Sequence, residues 1–225
     1  MSIDKLIKKN KISIVTCYDS SFAGWLEKNH CDALLVGDSL GVYVKGENST
    51  KNTLLDDVIY HTKAVKKGVK SIPIIADMPF GTYSSEKLAK KNAMKLIDAG
   101  ADIVKIEGDT DIYNTIAHLT NSNINVCGHI GFTPQISEVL EKKYDAKKLL
   151  AKAKSIEACG AIMIILSMTG EHADDLITKN LSIPTISFRS SSKCTGEVEI
   201  LYDLLNISDN SYSFKYKKKK KKKSS

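Results

Sequence analysis

Short apolar, β-branched runs recur along the chain, and the stretches between them have helical periodicity. The runs fall at residues 12–16, 33–36, 72–76, 103–106, 124–127, 161–166, 184–188 and 198–202. Between the first two, Phe22, Trp25 and Leu26 stand at i, i+3 and i+4, which predicts a helix over 21–28. Val58, Ile59, Thr62 and Val65 share one face of a helix predicted over 55–67, with Gly68 stopping it. Ser85 is placed to cap a helix reaching Ala99. Further helical patterns cover 111–121, 146–159 and 171–180, and residues 41–53 read as a polar loop. The eight runs are apolar throughout rather than alternating, which marks strands buried on both faces. Strands that alternate with helices imply a parallel sheet. Eight such units predict an α/β fold, a (β/α)8 barrel, with a shortened or missing C-terminal helix, because little chain remains after the eighth run. One barrel domain is expected over 1–214.

The ends of the runs carry the chemistry. Leu34-Leu35-Val36 stops at Gly37-Asp38-Ser39, and other runs stop at Asp19, Asp77, Glu107, His129 and Asp203. In a parallel barrel such residues project to the carboxyl-terminal mouth, where active sites form. Several carboxylates meeting there repel one another unless a cation neutralises them. Hard oxygen ligands select Mg²⁺ or a similar ion, held by a few carboxylates, waters and substrate oxygens. Lys105 lies two residues before Glu107 and so shares its face of the strand, where it can offset acidic charge or stabilise an oxyanion. A plainer role fits Asp19 and Asp203, as loop caps.

Charge changes this picture little. The chain of 225 residues has a formal net charge of +7, but Lys215 and the run 217–223 supply eight positive charges, so the rest is near neutral. That run, within a tail taken as 215–225, cannot pack and is expected to be disordered. Without aromatic or base-reading partners it gives no reason to expect a specific nucleic acid. Five scattered cysteines with no CxxC pair suit a reducing, cytoplasmic setting and argue against a structural zinc or disulfide framework. No apolar stretch approaches the roughly 20 residues of a membrane span.

Six motifs, in order, resemble the ketopantoate hydroxymethyltransferase family of the phosphoenolpyruvate/pyruvate barrel type. They are Thr16-Cys17-Tyr18-Asp19, Val36-Gly37-Asp38-Ser39-Leu40-Gly41, Tyr60-His61-Thr62, Ala76-Asp77-Met78-Pro79-Phe80, Val104-Lys105-Ile106-Glu107-Gly108 and the run from Cys127 through His129 to Gln135. The resemblance implies a Mg²⁺-dependent barrel. Its reaction would transfer a hydroxymethyl group from the co-substrate 5,10-methylenetetrahydrofolate to a 2-oxo acid, 3-methyl-2-oxobutanoate. It implies that Asp38 and Asp77 bind the metal, with Glu107 in its outer shell or bound directly. It also implies that Ser39 and Lys105 contact the keto acid, alongside Asp38 and Asp77, and that His129 lies near its carboxylate or the developing charge. A homo-oligomer, a decamer by resemblance, is implied as well. A lost closing helix would leave apolar surface at strand eight for a partner to cover.

The chain departs from that pattern in four places. Ser167 stands where the family has a glutamate taken as the catalytic base, and Phe188-Arg189-Ser190-Ser191 replaces a glycine-rich strand end. The segment 136–145 is short, and lysines replace the last helix. A decayed homologue that binds metal and 2-oxo acid with little turnover is therefore the alternative to an active transferase.

Overall fold

In the computed structural model, residues 1–108, 110–136 and 144–207 are described. The lysine-rich tail, the boundary at 214 and most of the short segment 136–145 lie outside them. Eight parallel strands close into one barrel in sequence order. They are β1 (Ile12–Thr16), β2 (Ala33–Val36), β3 (Ile74–Asp77), β4 (Ile103–Glu107), β5 (Val126–Gly131), β6 (Met163–Ser167), β7 (Thr185–Phe188) and β8 (Gly196–Glu199). The helices are α1 (Ile3–Leu6), α2 (Ser20–Lys28), α3 (Leu40–Tyr43), α4 (Leu55–Gly68), α5 (Glu86–Asp98), α6 (Tyr113–Thr120), α7 (Ala146–Ala158), α8 (Glu171–Thr178) and α9 (Leu201–Leu204).

The unbroken apolar strands serve two cores at once. One set of side chains, including Ile12, Ile14, Leu35, Ile75, Ile103, Met163, Ile165 and Ile186, fills the barrel interior, and Leu6 of α1 joins it. The intervening positions, such as Leu34, Val36, Ile74, Val104, Ile106, Ile164 and Leu166, pack outward against the helices. Period-two alternation thus divides each strand between two apolar environments. Caps fix where helices start: Asp19, Ser85 and Asp145 accept backbone N–H groups of α2, α5 and α7. Gly68 has a packing role as well as a terminal one. A Cβ there would lie 2.2 Å from the Ser20 carbonyl, so only glycine lets α4 approach the start of α2 this closely.

Several boundaries shift. Strands β3, β5 and β6 begin two residues later than the apolar runs do, where the neighbouring ladder starts. The polar loop over 41–53 contains the end of α3 and a 3₁₀ turn, Thr50–Asn52, with Thr50 and Thr53 buried. The pattern over 111–121 divides into a 3₁₀ turn, Thr110–Ile112, and α6.

The largest correction is at strand eight. It is Gly196–Glu199, not 198–202, and Tyr202 and Asp203 belong to the short helix α9. The apolar run 198–202 is strand end plus helix start, two elements that one apolar stretch cannot distinguish. Only residues 189–195 connect β7 to its parallel neighbour β8, and they form no outer helix. Where that helix is missing, the outward side chains of β8 are Glu197 and Glu199, both exposed. The outward face of β8 itself is polar. Exposed apolar side chains follow it instead, at Leu204, Leu205 and Ile207.

Candidate active site

A cavity opens at the carboxyl ends of the strands. Asp38, Ser39, Asp77, Lys105, Glu107, His129 and Ser167, the residues singled out from sequence, all line it. Asp19 and Asp203 do not line it. Asp19 accepts the N–H groups of Ser21 and Phe22 through Oδ1, as a helix cap. Asp203 pairs with Arg189. The cap reading holds for Asp19, whereas Asp203 lies within α9 and is an ion-pair partner rather than a cap.

The polar floor is dry and tightly paired. Lys105 Nζ contacts Asp77 Oδ1 at 2.5 Å, with the two side chains 7% and 2% exposed. The Asp38 N–H donates to Asp77 Oδ2 at 2.9 Å, which joins the ends of β2 and β3. Glu107 Oε2 lies 2.8 Å from His129 Nδ1, across the paired ends of β4 and β5. Tyr18 and Ser39 share a hydroxyl contact of 2.7 Å at the rim.

Gln135 is the residue that sequence reasoning named only as part of a motif. It is 2% exposed. Its N–H donates to Glu107 Oε1 at 2.6 Å, and its Nε2 donates to Asp38 Oδ2 at 2.8 Å and to the Met78 carbonyl at 3.2 Å. The Tyr83 hydroxyl donates to Gln135 Oε1 at 2.6 Å, with the Glu107 carbonyl 2.9 Å away. One amide therefore orients carboxylates on two strands. The signal available in sequence was its place just after the histidine, in a loop that returns over the mouth.

Electrostatics follow from this packing. Burial and the charge of Asp77 push the Asp38 carboxyl well above its ordinary range, opposed by Lys105 and by the Gln135 hydrogen bond. Burial would lower the Lys105 pKa, but Asp77, Asp38 and Glu107 outweigh it and hold the ammonium charged. Burial alone would raise Glu107, yet His129, Lys105 and the Gln135 N–H bring it below the usual value. Among the described residues, no three His, Cys, Asp or Glu side chains are arranged to hold a metal ion by themselves. Mg²⁺ does not require that arrangement, since it takes one or two carboxylates and fills its octahedron with water and substrate oxygens. The adjoining Asp38 and Asp77, with carboxylate charge in excess of the single Lys105 ammonium, fit such an ion by donor type and by charge.

A polar remainder faces the same space. Among the described residues, His129 Nε2, Ser167 Oγ and Thr50 Oγ1 are buried without hydrogen-bond partners, and all three residues line the cavity. Ser167 is 1% exposed. It sits inward on β6 opposite Gly131, whose φ of +96° and 2.3 Å Cβ clearance to the Ser167 carbonyl exclude a side chain there.

Comparison with known proteins gives the family. A family model described as ketopantoate hydroxymethyltransferase matches residues 2–224. A 3-methyl-2-oxobutanoate hydroxymethyltransferase of Nitrosospira multiformis is 44% identical over 205 residues, 88% of this chain and 78% of that protein. Among solved structures, phosphoenolpyruvate phosphomutase from Streptomyces platensis subsp. rosaceus superposes with a TM-score of 0.70 at 13% identity, covering 87% and 78% of the two chains. Phosphonopyruvate hydrolase, solved with oxalate and Mg²⁺, gives 0.68 at 13% identity, covering 87% and 77%. At that identity these two establish the shared barrel alone. The match along nearly the whole chain, together with the motif residues gathered around one cavity, means that this chain belongs to the ketopantoate hydroxymethyltransferase family.

Proposed function

We infer that this chain transfers a hydroxymethyl group from 5,10-methylenetetrahydrofolate to 3-methyl-2-oxobutanoate, giving 2-dehydropantoate. The observation that carries the reading is the Lys105–Asp77 pair beside Asp38, in one buried cavity of a chain of this family. The net reaction joins C3 of the 2-oxo acid to the one-carbon unit, takes the hydroxyl oxygen from water and releases tetrahydrofolate. Asp38 and Asp77 are the residues to hold a divalent cation, with Glu107 behind them. Bound there, Mg²⁺ supplies Lewis-acid stabilisation of enolate charge.

The chain's own groups do the rest. Ser39 and Lys105 hold the keto acid, and the Lys105 ammonium faces the oxygen on which charge develops. His129, held against Glu107, borders that charge. Ser167 occupies the position of the base at C3. A lone hydroxyl is a weak base, and losing a positioned carboxylate costs roughly 10²–10⁴ in rate, so turnover is expected to be slow. The transferase is favoured over a decayed homologue by the name its relatives carry, since both readings keep the metal and keto-acid residues.

The test is formation of 2-dehydropantoate by the purified protein, with both substrates, with and without Mg²⁺. Metal-dependent product supports the reading. If 3-methyl-2-oxobutanoate neither binds nor reacts, it fails.

A further inference from the structure

The unpartnered polar atoms in the cavity have not been assigned a ligand. Among the described residues, the buried side-chain atoms without a hydrogen-bond partner belong to Thr50, Thr62, His129 and Ser167, and all of these except Thr62 line this one cavity. An orphaned buried hydroxyl or imidazole nitrogen is costly, so their concentration in one place points to a ligand that satisfies them.

Their position indicates which part of the ligand. Of the charged groups for a keto acid, Asp38 stands just after β2, and Asp77 and Lys105 stand on β3 and β4. Ser167 and His129 stand further round the mouth, on the adjacent strands β6 and β5. The register pairs Gly131 with Ser167 and His129 with Ile165. Ser167 and His129 both line the cavity, so their unpartnered atoms border the same space. The parent 2-oxo acid is apolar beyond its keto and carboxylate oxygens and offers Ser167 nothing to bond. The hydroxymethylated product differs by one neutral hydroxyl, which both donates and accepts. A neutral serine and an imidazole nitrogen match that group.

We propose that Ser167, flanked by His129, is the receptor for the hydroxyl of the hydroxymethylated 2-oxo acid, so that the chain distinguishes a 4-hydroxy-2-oxo acid from its parent at this position. The proposal rests on the transferase reading for the placement of the keto acid. Sites built to bond a hydroxyl discriminate strongly against the analogue that lacks it.

Calorimetric titration of the Mg²⁺-loaded protein with 2-dehydropantoate and with 3-methyl-2-oxobutanoate tests it, repeated on Ser167→Ala. The unaltered protein should bind the hydroxylated acid about tenfold or more tighter than its parent, as one well-made buried hydrogen bond implies. Ser167→Ala should remove most of that preference while leaving parent affinity within about twofold. A general packing defect would weaken both acids together and so overturn the proposal, as would a preference that survives in Ser167→Ala. Equal binding of the two acids by the unaltered protein overturns it while leaving the transferase reading standing. Binding of neither acid removes both. Melting curves of the two proteins confirm that the alanine variant is folded.

Discussion

Replacing Lys105 by methionine removes one charge from a buried ion pair in the barrel and keeps a side chain of similar length. The ammonium and Asp77 are 7% and 2% exposed and in direct contact at 2.5 Å. Taking away one partner of a buried pair leaves an uncompensated charge, which costs about 3–5 kcal/mol. Here the cost falls at the upper end, because Asp38 lies beside Asp77 and already feels its repulsion. For a chain of this size each kcal/mol lowers the melting temperature by about 2–4 °C, so Lys105→Met should melt about 8–20 °C lower. The assay is thermal unfolding in a chelator at neutral pH, with Asp77→Asn and the double variant alongside. In the double variant neither side chain is charged, so it should recover at least about half of the loss. Adding Mg²⁺ should raise the Lys105→Met midpoint more than that of the unaltered protein. A Lys105→Met variant that melts within about 2 °C of the parent would refute the argument. So would a double variant whose losses simply add.

Three other outcomes are expected. Gln135→Met should weaken Mg²⁺ binding about 10–100-fold by calorimetry, with Tyr83→Phe weakening it less, because groups that orient metal ligands carry losses of that size; unchanged affinity would remove Gln135 as a positioning residue. Ser167→Glu should raise the rate constant of hydroxymethyl transfer about tenfold or more, and no gain would mean that the base lies elsewhere. Glu27 accepts the N–H groups of Lys70, Ser71 and Ile72 and the Ser71 hydroxyl. Burial would raise its pKa, but these bonds together lower it, so its contribution is present above the unfolded value near 4.3 and lost as pH falls through the folded one. Glu27→Gln should then cost about 1 kcal/mol or less at pH 7, after solvent screening, and the difference should shrink as pH falls below the unfolded value in urea unfolding.

The sequence alone determined the barrel and the contents of its mouth. Strands buried on both faces need long apolar runs, and in a parallel barrel polar side chains gather toward their carboxyl ends at the mouth. The runs before Asp38, Asp77 and Glu107 therefore announced both the strands and the residues at their ends. It was not sufficient at β8, where Val198, Ile200 and Leu201 serve a strand, a junction and a helix within four positions. Nor could composition show that the missing outer helix is answered by Glu197 and Glu199, since outward and inward positions are assigned only once the register is fixed. Tertiary structure alone decided the pairings. Asp77 takes Lys105 from the next strand, Gln135 returns from the loop after β5 to orient Asp38 and Glu107, and Ser167 Oγ is left without a hydrogen-bond partner among the described residues. The Gln135–Asp38 bond spans 97 residues of sequence, and no local pattern encodes a contact that exists only when the barrel closes.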